Sequence, residues 1–108
     1  MNEEQIRIQE YLNHNALGYN NRRTSTDIKE NCGLASGGVT NEHVRDLIRD
    51  MILKYGCCIG SIMWHDGYWI IQTEEELDMA VRSLQLRANG VLRRAEALST
   101  NFLNRNNG

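Results

Sequence analysis

Apolar residues recur along this chain with two different periods, and the switches between them mark the elements. Ile6, Ile8 and Leu12, with Tyr11, give residues 3–13 one rough apolar side and predict a first helix. The Asn-rich stretch 13–21 ends it, with Gly18 as the stop. A second helix starts at a cap among Thr24, Ser25 and Thr26, whose hydroxyls accept from free amides of a first turn. Asp27 then sits near the positive helix end, Ile28 and Leu34 face inward, and Gly33 supplies the stop. After a flexible turn over Ala35–Gly38, Thr40 or Asn41 caps a third helix, residues 40–55. Its Val44, Leu47, Ile48, Met51 and Ile52 recur at helical spacing and predict a buried backing. The period then drops to two. Ile59–Trp64 and Tyr68–Ile71 are rich in β-branched and aromatic residues and read as strands, with His65-Asp66-Gly67 as the tight turn between them. Gly60 inside the first strand suits a bulge or a close backbone approach.

Thr73 and Glu76 form a capping box that opens the last helical segment. Along it, Leu77, Val81, Leu84, Ala88, Val91, Ala95, Leu98 and Phe102 step alternately by four and three, the spacing of a coiled-coil seam and the expected oligomerisation surface. As one helix the segment is roughly 40 Å long at about 1.5 Å per residue, more than a small body covers. Asn89-Gly90 is the weak point where it can split into a helical hairpin. Arg87 and Arg94 fall at g positions and Gln85, Leu92 and Ser99 at e, a set that makes no usual e/g ion pairs. Leu86 and Leu92 lie off the seam. Packing back on the body, a helical hairpin or antiparallel self-association therefore fits better than a simple parallel dimer. The expected organisation is a body over residues 1–72, a helical extension over 73–103 and a disordered tail over 104–108.

Composition changes the picture in two ways. A chain of 108 residues is one domain with an appended helix. Its formal net charge of −2 makes it a poor indiscriminate DNA binder, since nonspecific affinity is mostly phosphate neutralisation by Lys and Arg. The balance is uneven: five arginines stand against Glu96 alone between Arg82 and Arg105. The three cysteines (Cys32, Cys57 and Cys58) and the lack of an N-terminal apolar run imply a reducing, cytoplasmic setting, and no stretch is apolar enough to span a membrane.

With its stripe buried, the third helix should expose Asn41, Glu42, Arg45, Asp46, Arg49 and Asp50. Asn41, Arg45 and Arg49 are then positioned to reach base edges or phosphates, though a solvated face with local ion pairs explains the same charges. Arg22 and Arg23 precede the second helix and can hold a phosphate with its first amides and the hydroxyls of Ser25 and Thr26, or stand as ordinary surface arginines. His65, at the expected turn, can touch a phosphate, although turn chemistry accounts for Asp66-Gly67 without it. One of Trp64, Tyr68 and Trp69 is expected to stay exposed for a partner. Adjacent Cys57-Cys58 suit core thiols better than zinc ligands. No catalytic arrangement or phosphate loop stands out, so no enzyme activity, metal or cofactor is expected.

The runs Asp27–Leu34 and Val39–Ile48 look like the two helices of a helix-turn-helix, with Arg22–Thr24 suiting a short edge strand before them. Tyr55–Ser61 and Asp66–Ile71 resemble the wing of winged-helix domains found in many bacterial and phage proteins. The Thr73–Leu77 start of the last helix, with arginines and alanines toward its end, resembles small phage or prophage proteins of that class. The resemblance covers about residues 27–100. It implies an α+β fold, a winged helix-turn-helix with a long C-terminal helix or helical hairpin. It also implies sequence-selective binding of double-stranded DNA in transcriptional or replication control, by a homo-oligomer. Two features depart from the pattern: the Ala35–Gly38 insert lengthens the turn, and acids alternate with bases on the reading helix. The alternative function is a protein-interaction adaptor that uses the same scaffold to engage a replication or transcription component.

Overall fold

Three helices form first along the chain, and local chemistry sets their ends. In the computed structural model, which describes residues 1–62 and 65–107, α1 spans Glu3–Asn15, α2 Ser25–Cys32 and α3 Glu42–Tyr55. Asn2 and Gln5 make a capping box at the start of α1, and Thr24 and Asp27 make one at the start of α2. Gly33 ends α2 in the left-handed region at φ 65°, where a side chain would be strained. Ile8, Leu12 and Ala16, Ile28, Cys32 and Leu34, and Val44, Leu47, Ile48 and Met51 close on one another as a common core, joined by Ile59 and Tyr68. Ile6 and Ile52, counted with the apolar sides in the sequence, stay about two-fifths exposed at the edges of their helices.

A two-stranded antiparallel hairpin follows, β1 (Ile59–Ile62) and β2 (His65–Ile70). Ile59 pairs with Ile70, Gly60 with Trp69 and Ile62 with His65, with a register shift between Gly60 and Ile62. This corrects the expected turn, because His65, Asp66 and Gly67 all lie within β2. The physical reason is tertiary. The Asp66 carboxylate bonds to α2, and the bare Cα of Gly67 makes room for the Arg22 side chain, whose Cγ and Cδ would stand 2.9 Å from any added Cβ. On its other edge β2 meets the segment after α1. Tyr68 and Arg23 exchange backbone bonds of 2.9 and 2.8 Å, Gly18 N donates to Ile70 O at 3.0 Å, and Ile70 N donates to Ala16 O at 2.7 Å. The expected edge strand at 22–24 is thus a single antiparallel bridge at Arg23.

Alternation along β2 builds two layers. Tyr68 enters the helical core, while Trp69 is fully buried apart from that cluster. There it meets Tyr19 of the short 3-10 turn Tyr19–Asn21 edge-to-face, 5.1 Å between centroids, and lies across Gly60. Both described aromatics of the hairpin, Tyr68 and Trp69, are buried; Trp64, the third residue of the set expected to leave one aromatic exposed, lies outside the described residues. Cys32 is buried, Cys57 half-buried and Cys58 exposed, so only part of the thiol set is core.

The last helix, α4, is one continuous element from Glu74 to Asn107, not a hairpin, and it covers most of the segment expected to be a tail. It packs on β1 near its start, where Ala80 is buried. Glu76 fixes that start. Its carboxylate accepts from Tyr19 N and Gln72 N, each at 2.7 Å, and these backbone donors hold its pKa below the usual carboxylate range. Every described side chain from Leu84 to Arg105 is exposed. The molecule measures 59 × 32 × 24 Å, with a radius of gyration of 17.3 Å. A compact chain of this size would give about 13 Å.

Two outcomes follow from this packing. A Cβ at Gly60 would lie 2.6 Å from two buried Trp69 ring carbons. Gly60→Ala should therefore cost about 1–3 kcal/mol of stability in denaturant titration, with altered near-ultraviolet dichroism. Because Glu76 has a depressed folded-state pKa, its contribution is present at neutral pH and lost as pH falls through that folded value. Glu76→Gln should lower the unfolding midpoint at neutral pH and differ less from the parent chain in acid.

Candidate nucleic-acid interface

The candidate surface is built where α2, α3 and β2 meet, and a polar network there is directed inward. Asn41 precedes α3 in the left-handed conformation, φ 58°, which Asn tolerates better than most residues. Its side chain does not cap α3. It is buried and donates through Nδ2 to Ser25 Oγ at 3.0 Å and to Thr26 Oγ1 at 3.1 Å. Ser25, also buried, donates from its amide and its hydroxyl to the two Asp66 carboxylate oxygens, each at 3.2 Å. The chain Asn41–Ser25–Asp66 thus joins the α2–α3 turn, the first turn of α2 and the hairpin.

This arrangement corrects the expected roles of several residues. Asn41 is not exposed for base contact as its sequence position suggests; it is directed inward, where its amide donates to the buried Ser25 hydroxyl and to the Thr26 hydroxyl. The anion expected at the start of α2 is supplied by the chain itself, since Asp66 takes the first-turn amide of Ser25. The two arginines before α2 are also engaged. The Arg22 guanidinium lies 4.3 Å from the Tyr19 ring centroid and donates to Tyr19 O, while Arg23 Nε donates to Asn15 O at 3.1 Å. Thr26 remains exposed on the surface of α2. The side chain of His65 lies outside the described residues.

The outer face of α3 keeps two arginines. Arg45 is exposed; its Nε donates to Thr40 O at 2.7 Å. Burial raises the Tyr68 pKa, and the Arg45 charge partly offsets this. Arg49 pairs with Asp46 at 3.0 Å, with both side chains well exposed, 70% and 60%. Acids lie beside them. Glu42 accepts from the Thr40 hydroxyl at 2.7 Å, which lowers its pKa, and Asp50 is held low by Gln5 and then Lys54. The two arginines therefore share their face with the carboxylates of Glu42 and Asp46, while Asp50 is turned toward α1.

The seam residues on α4 are open. Leu77, Val81, Leu84, Val91, Leu98 and Phe102 are 42% to 66% exposed, and Ala88 and Ala95 are exposed too. Sequence reasoning missed Gln5, which is buried and donates through Nε2 to Leu47 O at 3.2 Å and Asp50 Oδ2 at 3.0 Å, tying α1 to α3. It also missed Asp66, whose Asp-Gly context reads as a turn; its partner Ser25 is 41 residues away. Among the described residues no cluster of His, Cys, Asp and Glu could hold a metal ion, and no helix is long and apolar enough to cross a membrane. No known protein family, no curated protein and no solved structure matches this chain.

The network predicts a separable result at Asn41. Asn41→Gly keeps the backbone conformation and removes the two side-chain bonds, which should cost about 1–3 kcal/mol at about 0.5–1.5 kcal/mol for each. Asn41→Ala adds left-handed strain of roughly 1 kcal/mol. Chemical denaturation of the three chains should rank the parent above Asn41→Gly and Asn41→Gly above Asn41→Ala.

Proposed function

We propose that this chain is a winged-helix protein that binds double-stranded DNA through the outer face of α3, working as an oligomer held by α4. The observation that carries the reading is the order of elements: α1, an isolated bridge at Arg23, α2, α3, then a hairpin whose second strand takes the bridge. That order is the one in which winged helix-turn-helix domains present their third helix to a major groove. The Ser25–Asp66 and Asn41–Ser25 bonds support it by holding α2, α3 and the hairpin as one rigid unit, so that α3 is presented on a firm base.

The contact set is smaller than the sequence suggests. Arg45 and Arg49 carry it, with Thr26 at its border. The Arg49–Asp46 pair is exposed and worth at most about 1 kcal/mol, so phosphate or a guanine edge can displace the carboxylate. One body presents few positive charges, and pairing of two would double the contacts. A control role in a phage-type setting rests on the resemblance of the helix and wing segments.

A second reading draws on the carboxylates of Glu42, Asp46 and Asp50, which repel a phosphate backbone, and on the apolar stripe of α4. On that reading the scaffold is an adaptor for a replication or transcription protein.

The test replaces Arg45 and Arg49 together with Ala and measures duplex binding across a salt series. The DNA reading expects affinity to fall by roughly tenfold or more. The log–log salt slope should shrink by up to about 1.8, at about 0.9 for each phosphate that an arginine no longer neutralises. Unchanged affinity and slope, or no duplex binding by the parent chain, would favour the adaptor.

A further inference from the structure

The exposed stripe of α4 has an internal symmetry that names its partner. From Leu84 onward no described side chain on this helix is buried or half-buried, yet its apolar residues keep coiled-coil spacing through Phe102. The body meets α4 along a different line, through Glu76, Ala80 and Ser83. Neighbouring positions on a helix are about 100° apart, so the seam beginning at Leu77 and Val81 runs beside the body and stays open. A single amphipathic helix projecting into water gains nothing from its apolar face and is marginal by itself.

We infer that α4 pairs antiparallel with the α4 of a second copy of this chain, in the register that sets Leu77 against Phe102, Val81 against Leu98, Leu84 against Ala95 and Ala88 against Val91. These four pairs lie symmetrically about the peptide bond joining Asn89 and Gly90, and in an antiparallel coiled coil each matches an a position with a d position. Sizes are complementary: Leu84 faces Ala95, and Val91 faces Ala88. A parallel pair would instead stack Ala88 on Ala88, Ala95 on Ala95 and Phe102 on Phe102.

Charge chooses the same orientation. One step beyond the seam at each end stand Glu74 and Arg105. The antiparallel register brings each Glu74 to the Arg105 of the other copy, whereas a parallel pair sets like charges together at both ends. The Arg105 guanidinium lies 5.4 Å from the Phe102 ring centroid, which keeps it on the seam side. The antiparallel register also sets Arg87 near Arg94 of the second copy, but on the water-exposed flank, where salt screens the repulsion. The inference rests on the oligomeric part of the reading above and not on DNA contact.

Four measurements on the full chain test it. Sedimentation equilibrium should give a dimer. Leu98→Glu, which lies on the exposed part of α4 and carries a charge into two layers, should raise the dissociation constant roughly a hundredfold while the body's near-ultraviolet dichroism is unchanged. Spin labels on Asn104→Cys, with Cys57 and Cys58 replaced by Ser, should lie roughly 45 Å apart; parallel pairing would place them within about 20 Å. Arg105→Glu should weaken the dimer about threefold to tenfold, and adding Glu74→Arg to it should restore affinity. A monomeric parent chain, the short distance, or no rescue by the second charge change overturns the inference. A monomer that still binds duplex DNA through Arg45 and Arg49 overturns the pairing alone; a dimer with the long label distance that binds no DNA overturns the DNA reading alone.

Discussion

The Asp66 carboxylate is the constraint on which the rest of this fold depends. It reaches from β2 to the first turn of α2, where it takes the Ser25 amide and hydroxyl. Ser25 in turn receives Asn41 from the turn before α3. Apolar burial brings the three helices together without fixing direction, because contacts of Leu, Ile and Met are nearly isotropic. The hydrogen bonds supply the direction. They set where α3 begins, hold its preceding residue left-handed and dock the hairpin beside α2. A charge at a helix start also gains from the amide dipoles there, so one group serves both the packing of the hairpin and the capping of α2.

That economy has a functional consequence. A helix start that already holds a carboxylate is not open to a phosphate, and arginines stacked on tyrosine or bonded to backbone carbonyls are not idle cations. The groups of this region that the sequence offered for anion binding are mostly used internally. What remains free lies on the far side of α3, where exposed ion pairs are weak enough to exchange partners. The contrast between bonds that join one element to another and exchangeable pairs within a single helix separates the residues that shape the body from those with side chains left to exchange partners.

The long helix obeys a different rule. Near its start it is held by Glu76 and by packing on β1, so its direction is set by the body. Farther along it has the apolar spacing of a packed helix, yet its described side chains from Leu84 to Arg105 are all exposed. Apolar surface of that regularity is unfavourable in water, and its sequence is nearly self-complementary when read backwards.

Much of this was legible in the residues because local chemistry decided it. The capping box at Thr24, the Thr73 hydroxyl on the Glu76 amide (the Glu76 carboxylate itself turns to Gln72 and Tyr19 instead of closing the expected box), the stop at Gly33, the Val44–Met51 stripe and the four-three spacing after Leu77 each need only neighbours within a few positions. The close approach at Gly60 was also readable, since a bare Cα in a strand has few other uses. The tertiary structure decided the rest. Asp66-Gly67 has the signature of a turn, but a carboxylate 41 positions from Ser25 found a better use in bonding it, so the residues lie within a strand. Asn41 looks like an exposed cap, and only the approach of α2 directs it inward. Gln5 completes a local box and also spans to α3, which no local pattern reveals. Periodicity reports which face of an element is apolar. Which polar side chain is consumed in holding two elements together depends on distances between segments far apart in the chain, and those exist only once the chain has folded.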